Sequence, residues 1–305
     1  MFDAYKRFAI AKGRAESTIE RHEYSFALAK VFYQKHDMVK VTVEEHEIFL
    51  ASLKQKEGSL SNASINRVRS FMSALYSTAI KKRLFGGIFK DNPFFCIERL
   101  HETSPLVEYW NSEEIDKLLE SERESYYYPM WVVWLNTGLR FGELAALSVE
   151  QIDIYAHDLT IDRSWCKVTK QIKKMTKGKK IRHVGLNVMT QSVLYPRLKS
   201  TGLMFTKEDG SPLTHSFVYH YLLPRVCKKA AIKELGTHGF RHTYGAHYMM
   251  NGGNLWDLQK ILGHSDITTT DKYYAHFSKA HVQKRANVVN LGRNILQVEF
   301  QRGVG

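Results

Sequence analysis

Partway along this chain the hydrophobic period changes, and that change limits its fold more than any other feature. From Thr18 to about Lys90 apolar residues recur at helical spacing. Ile19, Tyr24, Phe26, Leu28 and Phe32 follow a Ser17-Thr18 cap, and Ile48, Phe49, Leu50 and Leu53 follow a capping box of Thr42 and Glu45. Ile65, Val68, Phe71, Met72, Leu75 and Ala79 follow Ser61 or Asn62. Residues three and four apart share a helix face, so this stretch predicts a small all-helical bundle. Between Ile152 and Val184 the period falls to two: Ile152, Ile154, Leu159, Ile161 and His183-Val184 read as short strands, with Lys177-Gly178-Lys179 as a turn. Helical spacing returns from Val188 to about Ala286. The reading is a mainly α fold with a small antiparallel β-sheet (α+β).

At 305 residues the chain is long enough for two domains. Asp91-Asn92-Pro93 stops the last bundle helix, which places the helical domain at 1–90, a linker at 91–106, a second domain at 107–286 and a polar tail at 287–305. In the second domain Ser112-Glu113-Glu114 caps a helix, Pro129 starts another, Thr137-Gly138 interrupts it, and Phe141 to Leu147 resumes helix. Gly and Pro, at 19 and 6, are too few for a collagenous or mostly disordered chain. No apolar run approaches the roughly 18–20 residues of a spanning helix, and Met1-Phe2-Asp3 starts no signal peptide, so a soluble, cytoplasmic protein is expected.

The formal net charge of +13 calls for an anionic partner or a tolerated excess, and nucleic acid leads that choice. Three cysteines, Cys96, Cys166 and Cys227, lack CxxC spacing, which argues against disulfides and a structural zinc site. Four clusters carry candidate chemistry: Thr137 to Glu143 around Arg140, Thr176-Lys177-Gly178, His238 to Thr243, and Leu262-Gly263-His264 followed by Tyr273-Tyr274-Ala275-His276. His238 and Arg241 are three apart and share a helical face, so both can address one anion. Taken singly, each cluster is equally an ordinary surface or capping feature.

Taken together they resemble the tyrosine recombinase (phage integrase) family. The residues that carry the resemblance are T-G-x-R-x-x-E-L at Thr137–Leu144, Lys177 ahead of Lys180-Ile181-Arg182-His183-Val184-Gly185-Leu186, H-x-x-R-H-T at His238–Thr243, and L-G-H-S at Leu262–Ser265 followed by a tyrosine. They occur in the family's order over about 106–280, and the N-terminal bundle resembles the family's core DNA-binding domain. Gly185 stands where the family often has proline.

The resemblance implies DNA cleavage and rejoining through a 3′-phosphotyrosine, with no metal or other cofactor. Attack on a phosphodiester builds charge on its non-bridging oxygens, and the forked donors of Arg140 and Arg241 match those oxygens. A tyrosine with pKa near 10 needs a neighbour to take its proton, and His238 is the candidate base. Lys177 is the candidate acid for the leaving 5′ oxygen, with Lys179 and Lys180 as rivals. His264 is expected to donate to the phosphate and Glu143 to orient its neighbours. Nine-residue spacing from His264 selects Tyr273, but the pattern Y-A-H-F selects Tyr274, which is taken as the nucleophile.

Arg67, Arg69, Lys81, Lys82 and Arg83 of the bundle, with Lys173, Lys179 and Lys180, are candidate DNA contacts. The implied partners are double-stranded DNA at specific sites and other copies of the chain, four on two sites, passing through a Holliday junction; an accessory DNA-bending protein is left unassigned. The tail, with Val288, Val289, Leu291, Ile295, Leu296 and Val298, could dock on a neighbouring subunit. Rival readings are a type IB topoisomerase, which relaxes DNA alone, and a non-catalytic DNA-binding regulator of the same fold.

Overall fold

The structure is a computed structural model that describes residues 1–55, 60–102, 107–174, 181–198 and 201–278. It divides into two units, 1–105 and 106–305. The first is built from helices α1 (Phe2–Ala11), α2 (Glu16–Tyr33), α3 (Val43–Gln55) and α4 (Asn62–Lys81). Helix α1 precedes the helical stretch read from the sequence. The capping box at α3 forms as its residues dictate, with Thr42 N donating to Glu45 Oε2 at 2.8 Å and Glu45 N to Thr42 Oγ1 at 3.2 Å. Ser61, rather than Asn62, caps α4. Ile65, Val68, Met72 and Leu75 of α4 are buried against Phe2, Tyr5 and Phe49 from α1 and α3.

The division between the units falls at 105/106, at the far end of the expected linker, so the first unit includes residues 91–105. Helix α4 ends at Lys81, well before the expected stop at Asp91-Asn92-Pro93; Pro93 instead opens a short 3-10 turn (Pro93–Phe95), and Phe94 and Ile97 are buried in the bundle's core. Asn92 donates to Ser73 O at 2.9 Å and to Ser77 Oγ at 2.8 Å, and Arg69 Nε donates to Ile97 O at 2.8 Å. These bonds tie the expected linker onto α4.

The second unit opens with α5 (Ser112–Ser121), capped by Asn111 and Glu114, followed by α6 (Tyr128–Thr137) and α7 (Phe141–Ala145). A three-stranded antiparallel sheet of order β1-β2-β5 joins β1 (Ile152–Asp153), β2 (Asp158–Ile161) and β5 (Arg182–Gly185), with Leu159 opposite Val184 and Ile161 opposite Arg182. Strands β3 (Arg163–Cys166) and β4 (Gln171–Lys174) pair separately. Helices α8 (Val188–Leu194), α9 (His215–Phe217), α10 (Leu223–Ala230), α11 (His238–Met250), α12 (Leu255–Leu262) and α13 (Ile267–Tyr274) follow, with a π-helical turn at Val218–Leu222 joining α9 to α10.

Every residue from Met130 to Leu135 of α6 is buried, as a helix apolar on all faces must be. The rings of Trp134 and Phe240 stack at 4.0 Å and 1°, which fixes α6 against α11. Trp134 Nε1 donates to Leu139 O at 2.8 Å and so holds the turn that carries Arg140. Among the described residues no helix is long and apolar enough to cross a membrane.

Candidate active site

Helix α6 ends on Gly138 in the left-handed region (φ 61°), where a Cβ would sit 2.8 Å from the Tyr244 ring. Only glycine makes that turn in that space, and the chain then delivers Arg140 to the start of α7. Glu143, three residues on, accepts from Arg140 N at 2.8 Å and from its NH1 at 3.0 Å. Arg140 NH2 reaches Gly263 O at 3.2 Å, beside His264.

Helix α11 presents His238, Arg241 and His242 within its first turns. Arg241 is buried and donates to Gly138 O at 3.0 Å and to Leu262 O. His264 follows the left-handed cap Gly263 of α12, and its Nδ1 bonds with Thr270 Oγ1 at 2.8 Å, which sets the ring's orientation. Tyr274, the last residue of α13, is 1% exposed, and its hydroxyl hydrogen bonds to His242 Nδ1 at 2.9 Å. Gly245 lies directly beneath that ring: a Cβ there would stand 2.6 Å from Cε1 and Cζ of Tyr274. Tyr273 is half-buried, its ring centroid 5.7 Å from that of His242.

The structure thus brings Arg140, Glu143, Arg241, His264 and Tyr274 together from segments far apart in sequence. It places His242, not His238, on the phenol; the two histidine rings stand 6.1 Å apart. Arg182 is the second group to which the sequence assigned no role. It is buried, and donates through NH1 and NH2 to Glu143 at 2.8 and 2.6 Å and through Nε to Ile261 O at 2.7 Å. Both residues stand inside the quoted motifs, next to Arg241 and two beyond Lys180, which was the available signal. Lys177, Lys179 and Lys180 lie outside the described residues.

The electrostatics follow from three guanidiniums gathered around one carboxylate. Burial opposes the charge on Glu143, but the hydrogen bonds and charge of Arg182, with Arg140, outweigh it and hold the group down to about 2. Burial, then the charges of Arg241, Arg140 and Arg182, pushes His264 down to about 4. Burial, then His238 and Arg241, does the same to His242, and His238 is lowered by burial, Arg241 and Arg140. At neutral pH these imidazoles are neutral and can accept protons. Burial pushes Tyr274 up to about 12, against the pull of Arg241, so its phenol is protonated at rest. Such a site suits an anion with several oxygens and a latent nucleophile beside it. Among the described residues no cluster of three or more His, Cys, Asp or Glu could hold a metal ion.

Of the candidate DNA contacts, Arg67, Lys81, Lys82 and Arg83 are exposed, and Lys82 stands 4.9 Å over the Phe8 ring. Lys173 lies on exposed β4. Arg69 is turned inward instead: its guanidinium serves Phe94 O and Ile97 O, so its role in the bundle is structural.

Comparison with known proteins places these features in a family. The phage integrase family model matches residues 108–281. The ICEBs1 integrase of Bacillus subtilis (strain 168) is 26% identical over 262 residues, spanning 80% of this chain and 69% of that protein. The integrase of Escherichia phage P2 is 30% identical over 233 residues, spanning 75% and 60%. Among solved structures, the Tn1549 transposon integrase in complex with transposon right end DNA superposes with a TM-score of 0.76 at 21% identity, over 94% of this chain and 99% of that one. The XerH site-specific recombinase bound to palindromic difH substrate gives 0.67 at 20%, over 91% and 81%. These likenesses extend the shared fold across both units.

Proposed function

Because this chain belongs to the phage integrase family, it is a tyrosine recombinase, an enzyme of site-specific DNA recombination, and we propose that Tyr274 is its nucleophile, served by Arg140, Arg241, His264, His238 and Lys177. The observation that carries this assignment is the convergence of Arg140, Arg241, His264 and Tyr274 in one positively charged cluster.

Duplex DNA brings the scissile phosphate to the partly exposed guanidinium of Arg140, with Arg241 buried beside it, and the N–H donors these two do not spend on backbone carbonyls and Glu143 hold its non-bridging oxygens as charge develops. Removing one preorganised donor of this kind typically slows a reaction roughly a hundred- to a thousandfold. At 1% exposure the Tyr274 hydroxyl touches no substrate where it rests, so α13 releases it from His242 before attack. His238 then takes the phenol proton. The Tyr274 oxygen forms its bond to phosphorus, the bond from phosphorus to the 5′ oxygen breaks, and Lys177 gives that oxygen a proton. The 5′ hydroxyl of a partner strand reverses the step, so bond energy is conserved without a nucleotide cofactor. His264 donates to a phosphate oxygen, and Glu143 orients Arg140.

The partner is double-stranded DNA at specific sites, gripped also by Arg67, Lys81, Lys82, Arg83, Lys173, Lys179 and Lys180. Two rounds of exchange pass through a Holliday junction held by four copies of the chain in the cytoplasm. The Tn1549 integrase and XerH, solved with DNA, support this reading.

Nicked duplexes tiled across the DNA flanking its gene test the assignment, because a nick next to the cut lets the freed fragment diffuse away and traps the adduct. The wild-type chain and Tyr273→Phe should give an SDS-resistant adduct, with the DNA on Tyr274 in the digested peptide, and Tyr274→Phe none. An adduct that survives Tyr274→Phe and vanishes with Tyr273→Phe overturns the choice of nucleophile. Relaxation of a plasmid without recombination sites would favour a topoisomerase instead.

A further inference from the structure

The last turn of α12 ends in carbonyls that the helix cannot satisfy, and three consecutive ones are each taken by a different arginine. Ile261 O accepts from Arg182 Nε on β5, Leu262 O from Arg241 on α11, and Gly263 O from Arg140 at the start of α7. A helix C-terminus carries the negative end of its dipole, so it is a natural anchor for cations. Gly263 also makes room for this arrangement: a Cβ there would lie 2.9 Å from Arg182 Cδ and 3.3 Å from its Nε and NH1.

Arg182 differs from the other two. It is buried, and its fork is spent on both oxygens of Glu143, the carboxylate that also binds Arg140. Alone with Arg140, Glu143 would neutralise it. With Arg182 present the group keeps excess positive charge, and the third bond of Arg182, from Nε to Ile261 O, fixes the turn that leads into His264. Resting on the recombinase reading above, we propose that Arg182 is a positioning residue for strand cleavage: it occupies Glu143 so that the charge of Arg140 stays available to the scissile phosphate, and it registers the end of α12 on which Arg140, Arg241 and His264 are aligned.

The test is Arg182→Lys, which keeps the charge and loses the fork, alone and combined with Arg140→Lys, in single-turnover cleavage of the trapping duplex. Arg182→Lys should slow cleavage at least tenfold while DNA affinity stays within twofold. In the Arg140→Lys background the same change should slow it less than threefold, because the two act through one guanidinium. Cleavage within twofold of wild type, or equal losses in both backgrounds, overturns the proposal. Arg182→Met, which leaves Glu143 with Arg140 alone, should be slower still, and adding Glu143→Gln should recover part of its rate.

An arm without DNA keeps this inference separate from the recombinase reading. In arginine-labelled protein the guanidinium resonances of Arg140, identified by their loss in Arg140→Lys, should shift on Arg182→Lys. Unchanged resonances overturn the brace whether or not the wild-type chain cleaves. A wild-type chain that forms no adduct overturns the recombinase reading by itself.

Discussion

Each unit of the molecule buries a polar network, and the two differ in what surrounds it. In the bundle His46 is fully buried between the phenols of Tyr33 and Tyr76, and Tyr76 OH donates to Met38 O at 3.0 Å. In the catalytic unit His242 and His264 are set among arginines. Burial pushes all three histidines down to about 4. At His46 the charge that acts on the ring is that of Glu45, which works the other way, whereas at His264 three guanidiniums add to the burial. Depressed basicity is therefore common to a structural histidine and a site histidine. Unbalanced positive charge beside the ring is what separates them, and it is what an anionic substrate responds to.

The largest expected effect pits two buried-facing arginines against each other. Arg241 and Arg69 each serve two backbone carbonyls, Gly138 and Leu262 in one case and Phe94 and Ile97 in the other. Arg241→Gln should slow cleavage of the trapping duplex by at least roughly a hundred- to a thousandfold, the usual cost of a lost transition-state donor. Arg69→Gln should leave the cleavage rate within twofold below the melting point and destabilise the bundle by about 1.5–3 kcal/mol, the range for hydrogen bonds to charged groups. Equal loss of cleavage in both variants would erase the distinction between the networks.

Acid offers a second way to sharpen the contrast. His46 has a folded-state pKa below its unfolded value, so the unfolded chain binds the proton more tightly. The stability held by neutral His46 is complete above about pH 6.5 and drains as pH falls toward 4. A shift of that size corresponds to about 3 kcal/mol. Glu143 has the same sense in a lower window: folding depresses its pKa too, so its contribution is present above the ordinary carboxylate range and is lost only as pH falls toward 2. All five tryptophans, at 110, 131, 134, 165 and 256, lie in the catalytic unit, so their fluorescence reports that unit alone while circular dichroism reports both. His46→Gln should flatten the pH dependence of the helical unfolding transition between 6.5 and 4 and leave the fluorescence transition unmoved. A flattened fluorescence transition would mean the two units do not unfold separately.

A third expectation concerns Gly245, where the space under the Tyr274 ring is already full. Gly245→Ala drives a methyl group into the phenol, and overpacking of this kind costs about 1–3 kcal/mol. The variant should lower the fluorescence-detected stability by that amount and expose Tyr274. If the buried phenol is a resting state that must open, the adduct should form at least as fast as in wild type once DNA is saturating. Slower cleavage would instead make the buried pose the reactive one, with His242 as its proton acceptor.

How much of this was legible in the sequence depends on the distance over which each contact acts. Local patterns read well: the capping box of Thr42 and Glu45, the shared face of His238 and Arg241, and the small-residue turn before Arg140 depend on neighbours within four positions. Arg182 and His242 were invisible as partners because they meet Glu143 and Tyr274 across 39 and 32 residues. The β3–β4 hairpin left no alternation to find, since Gln171 to Lys174 are exposed on both faces. Asp91-Asn92-Pro93 does not mark the end of the last bundle helix: α4 stops at Lys81, Pro93 opens a short 3-10 turn, and the unit continues to 105 because Phe94 and Ile97 enter its core.

The smallest expected effect separates neighbours on α4. Arg67 is exposed, whereas Arg69, two residues on, is turned toward the segment beyond Pro93. If Arg67 neutralises one DNA phosphate, Arg67→Ala should make the slope of log K against log salt shallower by about 0.9, with the bundle's melting unchanged. Arg69→Ala should do the reverse, lowering the melting temperature and leaving the slope alone. The comparison is best measured at two salt concentrations on the same duplex, because a difference in slope cancels any common loss of active protein. A shallower slope for Arg69→Ala would mean that its guanidinium leaves Phe94 O and Ile97 O when DNA arrives, and the bundle's arginine would then behave more like Arg140 than its resting bonds suggest.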